Sequence, residues 1–371
     1  MAASLGAAAV AAQAPASLAA DLASLASLDY PTRMNAARQI RRAPLERAVP
    51  ALVDAVRNHQ DQFVRYRALV ILTSFNDRGT PELMRSLFGD RNDRVREVAY
   101  KWFEANPDPR LSATLLSALE TEEAEFVRPA LIGALAAHGS DPAVQRVLVA
   151  QISRGLDFFR SAVIDALGRH RAGYALREIA EVATVEGPLQ DDAALALGRI
   201  GGPGARAALA AIPRPSDDVV PTIRAAQCLI GDGCDTSIKG FQQLASQTGT
   251  APAVVRTSIA ALGVLATAGN REATEALVSL GTRGGNVRAQ AALALAAAAV
   301  RAPSHMLDWL DSAQATVRDP AIELLREGFE DLEEDLGEEM FFAATRATYW
   351  NANENSPTRT LAATLIQRLE F

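Results

Sequence analysis

The chain is poor in the residues that build compact reactive sites. Two Cys among 371 residues exclude a disulfide scaffold and a structural zinc site made mainly of Cys. The four His (His59, His138, His170 and His305) are far apart, and three of them stand near helix ends or turns, where solvated His is common. No HExxH, GxSxG, GxGxxG or GxxxxGK[ST] occurs, so zinc-protease, nucleophile-elbow and nucleotide-binding readings have no motif to rest on. No catalytic residue, cofactor or metal is expected from these patterns. Basic residues are the minority, 37 Lys or Arg against 44 Asp or Glu, and a net charge of −7 argues against a general nucleic-acid coat. A long apolar run is also missing. The uncharged stretch before Asp21 is mostly Ala, Gly and Ser with a Pro at 15, too weakly hydrophobic for a membrane span.

What the chain has instead is Ala, Leu and Val, in a composition that is 49% hydrophobic and only 5% aromatic. Ala favours helix and lets helices pack closely, which points to an all-helical fold. Arg recurs at a fixed interval, at Arg33, Arg65, Arg96, Arg128, Arg160, Arg224, Arg256, Arg288 and Arg318. The steps are 30 to 32 residues apart from one of 64, which is filled by a repeat lacking the Arg (188–200, PLQDDAALALGRI). An apolar stripe at helical spacing follows each Arg, as in FVRYRALVIL (63–72), and a second stripe precedes it, as in Val49, Leu52, Val53 and Val56. One period therefore reads helix, turn, helix. A 32-residue pair cannot bury its stripe alone, so stacking on both neighbours predicts a solenoid of about eleven pairs. At about 9–10 Å between packed helices it would extend to about 100 Å.

The segment VPALVDAVRNHQDQFVRYRALVILTSF (49–75) resembles a HEAT repeat, with Pro50 in the first helix, Asp61 in the turn and Arg65 opening the second helix. The short period and ALGRIGGPGARAAL (196–209) are similar to the HEAT-like repeats of phycobilisome lyases. The resemblance implies a right-handed armadillo/HEAT-type α-solenoid. It also implies that the ladder Arg are structural: each would bond the turn carboxylate of its own or the next repeat, and Asp61, Asp93, Glu125 and Asp157 stand three or four residues before theirs. A HEAT-like iron enzyme that modifies a lysine uses His-Glu pairs as ligands; no His here precedes Glu, so that reading fails residue by residue.

Three segments follow from this pattern. Residues 1–16 are an Ala-rich tail or the remnant of a clipped signal segment, 17–328 are repeats, and 329–371 are an acidic segment with capping helices. EGFEDLEEDLGEE (327–339) reads as a solvated acidic helix start or linker, and Arg359 as a displaced last rung. Without a basic start there is no export signal, which implies the cytoplasm; a clipped start would imply export to the periplasm or beyond. Cys228 and Cys234 are spaced too loosely for a CxxC motif and read as a buried thiol and a loop thiol, a local disulfide being favoured only in an exported chain.

Functionally the pattern points to a non-enzymatic scaffold that binds a protein or peptide along its concave face. The alternatives are a lyase or DNA-glycosylase type of enzyme using a groove in the same solenoid, and nucleic-acid binding by the basic N-terminal third. Residues 30–110 hold fifteen Lys or Arg against ten Asp or Glu, whereas residues 319–371 hold four against twelve. On the second helix of the first repeats Arg38, Arg42, Tyr66, Arg67, Val70, Tyr100 and Lys101 fall off the core register, with Trp102 on it. Arg and Tyr are frequent interface anchors, so these positions are the expected docking surface for an acidic or mixed protein partner.

Overall fold

The computed structural model describes residues 18–213, 216–332 and 336–369; the N-terminal segment 1–16 and its alternatives lie outside them. The described residues form twenty-two α-helices, α1 to α22 in chain order, with two short 3-10 turns and no strand. They fall in chain order into eleven successive pairs, and the protein is an all-α solenoid. Local chemistry marks the joints. Asp61 caps α4 (Gln62–Thr73) by accepting from the Phe63 and Val64 amides at 2.7 and 3.2 Å. Asn92 caps α6 (Asp93–Ala105) in the same way. Pro opens the first turn of α8 (Arg128–Ala136), α14 (Val220–Leu229) and α16 (Pro252–Thr267), where its missing amide hydrogen costs nothing.

The even-numbered helices form one layer. Besides those above they are α2 (Tyr30–Arg42), α10 (Asp157–Arg169), α12 (Gln190–Ile200), α18 (Gly285–Arg301) and α20 (Ala315–Leu332). Neighbours in this layer lie closer together than neighbours in the odd layer, so the even helices are the concave side. Small residues allow the approach. A Cβ on Gly168 of α10 would sit 2.7 Å from the Ala196 Cα of α12, and one on Gly198 of α12 2.7 Å from the Ala226 Cα of α14. Ordinary side chains there would force the inner helices apart.

Tight inner spacing bends the stack until its ends meet. Helix α21 (Leu336–Asn351) packs against α18 and α19 (Pro303–Ser312), and also against the inner faces of α4 and α6. The open rod of about 100 Å is therefore corrected to a closed arc, because the inner layer is so much shorter than the outer. The boundary expected at 328/329 falls inside α20, and α22 (Pro357–Arg368) covers α19 and α21.

Three of the ladder Arg tie successive pairs together, and others brace the turn of their own pair. Arg65 donates to the Val56 carbonyl at 2.7 Å, and its two terminal nitrogens grip Asp90, in the turn of the next repeat. Arg96 does the same with Glu122, Arg288 with Glu327, and Arg160 with its own Asp157. Arg128 bonds the Leu119 and Glu122 carbonyls, and Arg33 those of Ser27 and Leu28. Gln190 fills the missing rung by donating to the Ala183 carbonyl, and Arg359 reaches the Ala352 carbonyl. Arg318 is half-buried at the start of α20, whereas Arg224 and Arg256 are exposed.

The cysteine expectation is corrected too. Cys228 and Cys234 form a disulfide, with Cα atoms 4.6 Å apart. Gly231 and Gly233 take positive φ in the turn between them, which folds six residues back on themselves.

Candidate functional site: the inner face

At the N-terminal end the inner face is already covered. Glu339 of α21 is buried against α2, where Arg41 donates to it from Nε at 2.9 Å and from Nη2 at 2.5 Å. The Arg41 guanidinium also lies 5.4 Å from the Phe342 ring centre, and Arg346 bonds Glu339 from α21 itself. Burial would push the Glu339 carboxyl up, but Arg41 and Arg346 hold it below its ordinary range. Glu338 is buried beside it, facing Leu25, Met34, Ala37 and Arg67. The reading of 327–339 as a solvated segment is thus corrected: its last two acids are buried, because they meet the basic start of the same chain.

The expected docking residues divide accordingly. Arg38 is half-buried in a cleft shared with Glu330 and Glu338. Arg67 donates to the Leu25 carbonyl and stacks on Phe63. Arg42 is exposed and outside the clefts that line this seam, while its neighbour Arg41, which the register argument passed over, points into it. Tyr66 is half-buried against the core and Lys101 pairs with Glu97 at 3.0 Å. Two positions are corrections. Tyr100, expected outward, is buried and stacked on Phe88, and Val70 is buried as well. Trp102, placed in the core register, is half-buried at the groove beside Leu336, Met340 and Ala343. Because α6 buries Val98, Tyr100 and Phe103 together, its core stripe is wider than repeat two suggested.

Deeper in the concavity the ends of several inner helices converge as an ion network. Glu104 of α6 accepts from Arg169 at 2.9 Å and lies 3.1 Å from His170. Asp165 of α10 binds Arg169 and, at 2.6 Å, Arg199 of α12. Burial works against both carboxylates, yet His170 and Arg169 hold Glu104 down, and Arg169 and Arg199 hold Asp165 down. Burial, with Arg199 and Arg169, pulls the guanidinium of Arg301, which closes α18, below its ordinary range against the attraction of Asp165 and Glu104, and it makes no ion pair among the described residues. On α12, Asp191 is pushed up to about 6 by burial and by Asp192 and Asp218. Glu104 with Arg169 joins helices two repeats apart and Asp165 with Arg199 joins adjacent inner helices, so of these pairings only Asp165 with Arg169, four residues apart on α10, is signalled by the linear sequence.

Of the other His, His138 is buried rather than solvated, its ring nitrogens 2.8 Å from the Ala134 and Asp108 carbonyls. His305 contacts the Thr267 carbonyl. Among the described residues no three His, Cys, Asp or Glu group as metal ligands, and no helix is long and apolar enough to cross a membrane.

An open trough on the inner face lies between α16 and α18, with a volume of about 490 Å³. Ala260, Gly263, Ala294 and Ala297 floor it, Val264 and the exposed Leu293 rise from it, and Arg256 and Arg301 mark its ends.

Residues 18–101 match the family model of HEAT repeats. Comparison with curated proteins finds no match. Among solved structures, the chain is similar to the complex of CpcE and CpcF of phycocyanin lyase from Nostoc sp. PCC7120, at 18% identity over 68% of this chain and 97% of that one, with a TM-score of 0.36. Human deoxyhypusine hydroxylase is similar at 19% identity over 72% and 99%, TM-score 0.30. A structure from work on the cadherin and β-catenin interaction is similar at 10% identity over 95% and 94%, TM-score 0.30.

Proposed function

We propose that this chain, which matches HEAT repeats over residues 18–101 and continues as a solenoid through α22, is a non-enzymatic scaffold that holds a protein or peptide on its concave face. The observation that carries the reading is the trough between α16 and α18: an open, mostly apolar surface on the inner side of a rigid stack, with Leu293 exposed at its centre. Isolated exposed apolar side chains are common on any surface, but one set in a trough with charged ends has the composition of a binding site. The expected surface on the first three repeats is less suited, since the chain's own α21 lies over Arg41 and Arg67. The Cys228–Cys234 disulfide supports the exported alternative over the cytoplasmic one, because disulfides persist in oxidising compartments.

The test is a photo-reactive amino acid placed at Leu293 in the native organism, with Arg177 on the outer layer as the control position. A protein adduct from Leu293 and none from Arg177 is the expected result. Adducts from Arg177 alone, or consumption of a small molecule by the purified chain, would overturn the scaffold reading.

A further inference from the structure

The ladder changes character along the chain. Where Arg65 and Arg96 are answered by Asp90 and Glu122 in the following turn, Arg256 meets Gly281 and Thr282 at the corresponding distance in sequence. It has no carboxylate within ion-pair reach among the described residues, and its side chain is exposed at one end of the α16–α18 trough. Arg256 and Arg288 hold equivalent places on adjacent helices, and Arg301 lies thirteen residues beyond Arg288. At ~1.5 Å rise per residue the two trough arginines are therefore about 20 Å apart along the helix direction, the length of nearly four helical turns. Between them the floor is Ala and Gly, low enough for a row of larger side chains to settle in.

The molecule already holds one segment in such a manner. Helix α21 lies on the inner face of α4 and α6 with Phe341 and Phe342 buried and Glu339 clasped by an inner-helix arginine, Arg41. Resting on the scaffold reading above, we propose that the α16–α18 trough receives an amphipathic helix of a partner protein. Its apolar row lies over Leu293 and Val264, and an acidic residue near each end pairs with Arg256 and Arg301. Recognition is by shape along the floor and by charge at the two ends, so a basic helix of the same shape is refused.

The probe is a synthetic 18-residue helical peptide with a Leu row and Glu at positions 3 and 16, compared by fluorescence anisotropy with a twin carrying Lys at those positions. The full-length chain is expected to bind the Glu peptide at least five-fold more tightly. The double variant Arg256→Glu, Arg301→Glu should invert the preference, and Leu293→Glu should abolish both; all three residues are exposed, and circular dichroism checks each fold. Equal binding of the twins, unmoved by charge reversal, would overturn the acidic-partner chemistry while leaving the scaffold reading standing. Binding of neither peptide would overturn the trough as a helix site, and the photo-adduct at Leu293 then decides the scaffold reading by itself.

Discussion

Arg65 and Arg256 occupy the same rung, yet their surroundings assign them different work. Arg65 is buried, satisfies the Val56 carbonyl and clasps Asp90, so Arg65→Ala strands an acceptor and a carboxylate. The expected loss is about 1–3 kcal/mol, seen as a lower melting temperature. Arg256→Ala removes an exposed side chain without a partner among the described residues, and a change within about 0.5 kcal/mol is expected. Equal losses at both positions would mean that the rung, not its partner, sets the energy. Asp191 gives a pH signature. With its carboxyl raised to about 6, the folded chain keeps a proton that the unfolded chain has released, so stability falls as the pH rises from about 4 to about 6 and stays lower above. Asp191→Asn should therefore raise the melting temperature at pH 7 and change little at pH 4. A variant equally stabilised at both pH values would refute the buried-acid account.

Among the elements, α21 is the one whose role sequence patterning could not reach. Its acids read as a solvated run because hydropathy counts charges without regard to what they face. Glu339 is buried only because Arg41, 298 residues away, arrives opposite it. Breaking a buried pair from one side leaves an uncompensated charge, at a cost of about 3–5 kcal/mol. Glu339→Gln is expected to release α21 from α4 and α6 and lengthen the maximum dimension in small-angle X-ray scattering. Since the Glu339 carboxyl is held below its usual range, its contribution is complete above that range and is lost as the pH falls through the lowered value. The closed form should accordingly open in acid, and an unchanged scattering profile in both experiments would show that apolar packing of α21 alone holds the arc. The helices of the repeats, by contrast, were legible. Their stripes, caps and turns recur every 32 residues, and local periodicity is what sequence displays most directly.

For the whole molecule, closure depends on how closely the inner helices approach. Gly168 and Gly198 look like ordinary small residues in ALG runs, but each stands where a Cβ would meet the next helix at 2.7 Å. Gly198→Val should push α12 from α14, costing about 1–3 kcal/mol by overpacking despite a better helix propensity. It should also straighten the arc, seen as a larger radius of gyration. A variant that is more stable and equally compact would show that curvature is set elsewhere.

The sequence by itself determined the fold class, the number of helix pairs, the ladder and the charge contrast between the ends, all of which are properties of neighbours within one or two repeats. Only the tertiary structure decided that the ends close on each other, that Arg41 rather than Arg42 faces inward, that Tyr100 is buried, and that Glu104, Asp165, Arg199 and Arg301 face one concavity. The reason is that small rotations between successive pairs add up along a solenoid. Residues hundreds of positions apart are brought together by that sum, and no local pattern carries its value.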